Sequence, residues 1–169
     1  MTIHNIVYLP NEVLRRVAKP VEKFDEDLQI LIDDMFETMY AARGVGLAAP
    51  QIGLSLRLSV IDVIGDKKQQ LVLINPEIIA SKGSCEYQEG CLSVPGAYDK
   101  VTRAQEVTIS ALDRFGTPFE MTADGLLGEC FQHEIDHLNG KLFIDLLSPL
   151  KRASARRKLD KFKRRNGSK

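Results

Sequence analysis

The residues of this sequence most suited to chemistry lie in the stretch CFQHEIDHLNGKLF, at positions 130–143. Two histidines flank a glutamate there in the order H-E-x-x-H. On a helix, His133 and His137 project from the same face one turn apart and can bind one small cation, while Glu134 can reach a water molecule beside it. Two incidental histidines on a helix are the alternative interpretation, but these are two of only three histidines in the chain. The pattern therefore predicts a metal site of the kind that metallopeptidases use.

A catalytic metal needs a third protein ligand, and the usual sources are missing after this motif. The extended motif that adds a third histidine has Phe143 at that position, and no glutamate follows Glu134. Asp145 and Asp160 are the only acids beyond the motif, and His4 lies in a poor position close to the N-terminus. We therefore expect the third ligand upstream, among the cysteines.

The three cysteines are not equivalent as candidates. Cys130 lies on the histidine face of the same helix, about 10 Å along the axis from the second histidine, so we expect it to be a small core residue. Cys85 and Cys91 lie in a strand-like region, and the chemistry of the residues does not choose between them. The surroundings of Cys91 differ, because Gly90 permits a close backbone approach and Leu92 can present its amide beside a metal.

A second unusual stretch is RGVGLAAPQIG, at positions 43–53. It matches a relaxed dinucleotide-binding fingerprint, but a predicted helix precedes it where a strand is required, and Pro50 follows where a helix should begin. We reject the nucleotide interpretation. The segment can instead place bare backbone against a ligand, with the side-chain amide of Gln51 beside it.

Periodicity and capping residues predict the elements that position these groups. Helices are expected at 11–18, 25–44, 122–140 and 148–165, and strands at 57–63, 70–79, 106–113 and 117–123. The strands are grouped between helices without regular alternation. This order predicts an α+β fold.

Length and composition restrict the class of protein. The chain has 169 residues, of which 44% are hydrophobic, which suits a single domain over 1–169. The start MTIHNIVYLP does not resemble a signal peptide, and no apolar stretch approaches the roughly 20 residues that cross a bilayer. Three cysteines without framework spacing are expected to be thiols or a ligand. We expect a cytoplasmic protein without a membrane segment.

The charge is unevenly distributed along the chain. From position 148 onward there are ten Lys or Arg residues and one acid, although the formal net charge of the whole chain is zero. The predicted helix at 148–165 has a partial apolar seam formed by Leu150, Ala153, Leu159 and Phe162. A solvated helix with surplus charge is the simpler interpretation. Our hypothesis is a phosphate-contacting face made of Lys151, Arg152, Arg156, Arg157, Lys161, Lys163, Arg164 and Arg165.

Three pieces together, GVGLAAPQ, EGCLS and QHEIDH, resemble the peptide deformylase family over most of the chain. The resemblance implies antiparallel or mixed sheets packed around a central helix that carries H-E-x-x-H, plus a C-terminal helix. It implies removal of the formyl group from the N-terminal formyl-methionine of newly made polypeptides, with release of formate, by attack of a metal-bound water or hydroxide. One divalent metal ion per chain is expected. Fe²⁺ is the family's usual physiological ion, and Zn²⁺, Ni²⁺ or Co²⁺ can replace it.

The resemblance also assigns residues. It implies that Cys91, His133 and His137 bind the metal, that Glu134 transfers protons, and that the Gln51 side chain and the Leu92 backbone stabilise the formyl oxygen. The residues implied for substrate binding are Gly44, Val45, Gly46, Tyr87, Glu89, Leu126 and Cys130. Glu129 and Tyr98 depart from some relatives, which carry an apolar residue and an arginine there. Those departures concern peptide preference, not the reaction.

Two other functions fit parts of the sequence. One is a metallopeptidase with an unusual cysteine ligand, which would cleave peptide bonds. The other is a binding protein with a structural metal site, for which no fourth ligand is evident. The resemblance favours a monomer whose basic C-terminal helix contacts the ribosome.

Overall fold

The computed structural model of the protein describes residues 2–166. Three α-helices occur in this range: α1 Glu26–Ala41, α2 Gly125–Leu138 and α3 Pro149–Arg165. The strands are β1 Gly46–Ala48, β2 Leu58–Ile61, β3 Leu71–Lys82, β4 Cys85–Cys91, β5 Val94–Arg103, β6 Glu106–Leu112 and β7 Pro118–Asp124. Short 3₁₀ turns cover Glu12–Arg15, Ala49–Ile52 and Phe143–Leu146.

The strands form two antiparallel sheets. Five strands pair in the order β1-β2-β3-β6-β7, and β4 pairs with β5 in a separate two-stranded sheet. The larger sheet begins with the pair Gly46↔Ile61, and the smaller one places Gly90 opposite Tyr98. The predicted α+β class, with antiparallel sheets and a C-terminal helix, is confirmed.

The two long inner helices pack on opposite faces of the five-stranded sheet. Side chains of a strand alternate between faces, and in β2 Leu58 and Val60 pack with α1 while Ile61 packs with α2. Met35 of α1 and Phe131 of α2 are both fully buried. Because α2 is anchored in this way along one face, the face that carries its histidines is held rigidly toward the smaller sheet.

Helix α3 packs on the two-stranded sheet rather than on the larger one. Ala155 and Leu159 are buried against Val94, Ala97 and Val101 of β5. The predicted apolar seam is therefore only partly right: Leu159 is buried and Phe162 half-buried, whereas Leu150 and Ala153 are exposed. The contacting stripe runs through positions 155, 159 and 162, which lie on one helical face.

Other sequence-based boundaries also need correction. The predicted helix at 11–18 is only the turn Glu12–Arg15, which Asn11 caps by accepting a hydrogen bond from the Val13 amide at 3.0 Å. Strands β4 and β5 were not predicted individually, because β4 buries a glutamate and β5 begins with Val-Pro-Gly.

Within residues 2–166, no helix combines the length and apolar character that a membrane span requires.

Candidate metal centre

Three side chains from two elements meet at one point. Cys91 ends β4, and His133 and His137 lie one turn apart on α2. The His137 Nε2 atom lies 3.3 Å from Cys91 Sγ and 3.2 Å from His133 Nε2, and all three donor atoms lie within 4.8 Å of one another. Donors bound to one tetrahedral cation at about 2.0–2.3 Å are themselves separated by about 3.3–3.7 Å. The three atoms can therefore hold one small cation.

The other candidates for the third ligand lie elsewhere. The His4 ring faces Asp34, with Nε2 at 3.4 Å from the carboxylate. Cys130 is buried in the core between α2 and the sheet, where burial raises the pKa of its thiol. The Cys85 thiol contacts the backbone carbonyl of Glu86 at the other end of β4. Among the described residues, Cys91 is thus the cysteine whose thiol lies beside both histidines.

Buried polar atoms beside the three ligands lack partners among residues 2–166. Both carboxylate oxygens of Glu134 and the Nδ1 atom of His137 are buried without a hydrogen bond. Glu134 is only 2% exposed, and burial raises its pKa to about 7. Burial lowers the pKa of His137, which keeps its imidazole in the neutral form that binds metals. An unpaired buried carboxylate is costly, so a cation with a bound water fits this site well.

A buried ion network holds His133 in place. The Glu89 Oε1 atom lies 2.8 Å from His133 Nδ1, and Arg103 donates to both Glu89 oxygens, with the Nη2–Oε1 distance 2.8 Å. Arg103 also donates to Asp136 at 2.9 Å. Burial alone would raise the pKa of Glu89, but hydrogen bonds from Arg103 and His133 outweigh it and lower the pKa. Ionised Glu89 therefore fixes the ring so that Nε2 faces the other ligands.

Sequence reasoning missed two members of this network, Arg103 and Asp136. A charged residue at the end of a strand, and an aspartate inside the H-E-x-x-H motif, are ordinary features when read alone. The expectation for Glu89 also changes. Glu89 is among the residues that line the cavity described below, but its carboxylate faces Arg103 and His133.

Gln51 is fixed beside Cys91 by hydrogen bonds. Its side chain is 1% exposed, and its Oε1 atom accepts from the Ala48 amide at 2.9 Å. That contact turns Nε2 toward Cys91 Sγ, at 3.6 Å, and the Ser93 hydroxyl, at 3.3 Å. A side-chain N–H donor is thereby placed next to the three ligands.

A cavity of about 540 Å³ opens beside Cys91 and His133. Its lining includes most residues predicted to bind substrate: Gly44, Val45, Gly46, Glu89, Leu126 and Cys130. Tyr87 is not among the described residues that line it; its hydroxyl lies 3.5 Å from the Gln105 carbonyl. A Cβ atom at Gly46 would lie 2.9 Å from Glu134 Oε2, so glycine is needed there to leave the carboxylate in place.

The two residues that the resemblance marks as departures from the family pattern, Glu129 and Tyr98, both line this cavity. Glu129 is half-buried between Leu126 and His133, and burial raises its pKa to about 7. The ring of Tyr98 covers Gly90 so closely that a Cβ atom at Gly90 would collide with it. The cavity therefore has a polar wall on α2 and an aromatic edge on β5.

Comparisons with known proteins identify the family. The family model described as polypeptide deformylase matches residues 3–153. A peptide deformylase of Chromobacterium violaceum is 54% identical over 166 residues, 98% of this chain and 99% of that protein. A peptide deformylase structure from Legionella pneumophila is 71% identical, with a TM-score of 0.97 over 99% of both chains. One from Synechococcus elongatus, solved with actinonin, is 45% identical, with a TM-score of 0.87 over 94% of this chain and 86% of that one. The chain belongs to the polypeptide deformylase family.

Proposed function

We propose that this deformylase, a metal-dependent hydrolase that removes the N-terminal formyl group from new polypeptides, holds one divalent cation with Cys91, His133 and His137. The observation that carries the proposal is the meeting of these donors beside the buried carboxylate of Glu134, which has no hydrogen-bond partner in the part of the chain that the structure describes. When bound, the cation would supply Lewis acidity, which lowers the pKa of a water molecule from about 15.7 toward 7. A thiolate with two imidazoles suits Fe²⁺, and equally Zn²⁺, Ni²⁺ or Co²⁺. Fe²⁺ remains our prediction.

Glu134 moves the proton in this proposal. Its carboxylate has no competing protein partner among the described residues, and it faces the same cavity as His133. It accepts the proton of the attacking water and delivers it to the nitrogen that leaves as the amine. A buried carboxyl group at this place can hold the proton between the two transfers.

Gln51 and Leu92 stabilise the charge that develops on the formyl oxygen. The contact between Ala48 and Gln51 Oε1 leaves the Nε2–H of Gln51 as a preset donor, and the Leu92 backbone N–H follows directly after Cys91. Donors fixed before the reaction need no reorganisation as the charge forms.

The substrate main chain lies along Gly46, and the methionine side chain lies among Val45, Leu126 and Cys130. These residues line one cavity with His133 and Glu134. Gly46 lies in β1, at an edge of the five-stranded sheet, where an extended peptide can pair with its backbone. Glu89 acts in this proposal by positioning His133.

The basic face of α3 is our proposal for ribosome contact. Three of the eight residues in the predicted phosphate-contacting face instead bind the protein itself: Lys151 pairs with Asp99 at 3.3 Å, Arg152 donates to the Leu147 carbonyl, and Lys163 donates to the Leu9 carbonyl. The exposed remainder consists of Arg156, Arg157, Lys161, Arg164 and Arg165. These five support contact with RNA phosphates. A monomeric state, a cytoplasmic location and a single domain over 1–169 remain predictions from the sequence.

Formate release from formyl-Met-Ala-Ser tests the proposed function. The protein reconstituted with Fe²⁺ under argon should release formate and leave Met-Ala-Ser intact. Amine release from unformylated Met-Ala-Ser, without formate release from the formylated peptide, would instead indicate a metallopeptidase.

A further inference from the structure

The cavity at the metal centre continues to the C-terminal helix. Its lining includes Phe162 of α3 and Tyr8 of the N-terminal segment, besides His133 and Glu134. Neither Phe162 nor Tyr8 belongs to the proposed catalytic machinery. Both are half-buried, so each ring packs on the protein and still presents a surface to the cavity.

The two rings form a fixed unit. Their centroids lie 5.6 Å apart at an interplanar angle of 69°, an edge-to-face contact. Leu159, one turn earlier on α3, is buried in the adjoining core cluster, and Lys163 donates to the Leu9 carbonyl. Phe162 therefore has a defined position despite lying near the end of its helix.

The N-terminal segment joins these rings to the catalytic segments. The Val7 amide donates to the Gln51 carbonyl at 2.8 Å, and the Leu9 amide donates to the Ser93 carbonyl at 3.2 Å. Tyr8 lies between these two contacts. Its ring is thus held at a fixed place relative to both the Gln51 turn and the segment that follows Cys91.

This part of the cavity differs chemically from the part on α2. The lining residues at the N-terminal segment, the start of β5 and α3 are uncharged: Ile6, Tyr8, Pro95, Gly96 and Phe162. The lining on α2 includes Glu129, His133 and Glu134. A formylated peptide bound at the ligands must extend out of the cavity, and the uncharged part offers it aromatic and aliphatic surface.

We propose that Tyr8 and Phe162 form a binding subsite for apolar side chains of the substrate, several residues after the formyl-methionine. The inference rests on the proposed function. The helix that carries the basic face would then also contact the emerging peptide. The ligand class is an extended peptide with aliphatic or aromatic side chains at its fourth and fifth residues.

The test compares two pentapeptides of equal length, formyl-Met-Ala-Ala-Leu-Leu and formyl-Met-Ala-Ala-Ser-Ser, by formate release. The native enzyme should favour the leucine peptide in kcat/KM by about fivefold to tenfold, mainly through KM. Phe162→Ala should reduce this preference below about twofold, and Phe162→Leu should keep part of it. Leu150→Ala, on the same helix but 78% exposed, is the matched control and should keep the native preference.

A ratio of two substrates separates this inference from other failures. A variant that is merely less folded turns over both peptides more slowly and leaves the ratio of the two kcat/KM values unchanged. An unchanged ratio in Phe162→Ala would therefore contradict the subsite. Equal kcat/KM for the two peptides with the native enzyme would also overturn it. If the native enzyme released no formate from either peptide, the proposed function itself would fail.

Discussion

At the scale of single residues, Glu134 carries the clearest expectation. Its buried carboxylate has no hydrogen-bond partner among residues 2–166, and it lies beside the candidate ligands without belonging to their cluster. Glu134→Gln should therefore keep the metal but lower kcat by about 10²–10⁴-fold, the usual contribution of a general acid–base group. Metal content and formate release, measured on the same preparation, test this. Near-normal turnover in the metal-loaded variant would exclude the assigned role.

Substitution of Cys91 should reduce metal binding far more than substitution of another cysteine. Cys91→Ser replaces a thiolate donor with a hydroxyl that stays protonated at neutral pH and binds metal poorly. Metal content after dialysis should fall far more than in Cys85→Ser, which changes a thiol outside the ligand cluster. A larger metal loss in Cys85→Ser would contradict the ligand set.

Glu89 should influence the metal without binding it. Glu89→Gln leaves Arg103 buried and short of an ionised partner and weakens the hold on His133. Metal affinity should fall about 10–100-fold, the usual effect of losing such a supporting partner. Glu86→Gln, an exposed position on the same strand, is the control and should change affinity little. Equal affinities in the two variants would show that the network does not support the site.

At this scale the sequence could identify the two histidines and Glu134, because H-E-x-x-H has a fixed geometry on any helix. It could not choose between Cys85 and Cys91 on chemical grounds, since that choice depends on which end of β4 meets α2. The resemblance to a family supplied the answer. Arg103 and Asp136 were missed because the partners in this network are distant in sequence: Arg103 lies 14 residues from Glu89 and 33 residues from Asp136.

At the scale of elements, the helices were largely predictable and part of the sheet was not. The apolar residues of α1 recur at helical spacing, and Asp25 caps the helix by accepting a hydrogen bond from the Leu28 amide at 3.0 Å. Strand β4 turns Glu89 inward, and a buried charge contradicts the usual strand pattern until its partner is known. The interior of β4 could not be predicted for that reason.

Leu159 should contribute much of the packing that holds helix α3 on the two-stranded sheet. This side chain is 3% exposed and packs against β5, so Leu159→Ala should lower the free energy of unfolding by about 2–5 kcal/mol. Leu150→Ala, at a residue 78% exposed on the same helix, should change it by less than about 0.5 kcal/mol. Urea unfolding of both variants measures the difference. Similar values would show that α3 contributes little to the fold.

The basic face of α3 is best tested by substitution, because truncation would also remove Leu159. Replacing Arg156, Arg157, Lys161 and Arg164 by Gln should reduce co-sedimentation with ribosomes at low salt. Each lost phosphate contact should also make ribosome binding less dependent on salt concentration. Turnover of formyl-Met-Ala-Ser should stay near the native value. Undiminished ribosome binding would leave these charges with a solubilising role only.

At the scale of the whole molecule, the site exists because two sheets meet at one helix. The smaller sheet supplies Cys91, α2 supplies both histidines, and the turn after β1 supplies Gln51. The fold class followed from the order of elements. The strand order β1-β2-β3-β6-β7, with β4 and β5 in a separate sheet, could not be predicted in this way. Pairings between distant strands leave no local signal in the sequence.

Formate release from formyl-Met-Ala-Ser after removal and return of the metal tests the central claim most directly. The native protein should lose activity on treatment with a chelator under argon and regain it with Fe²⁺. Glu134→Gln should bind the returned metal without regaining turnover. Full formate release by metal-free protein would contradict a metal-dependent site, and recovery of native activity in the metal-loaded Glu134→Gln variant would contradict the proton-transfer role of Glu134.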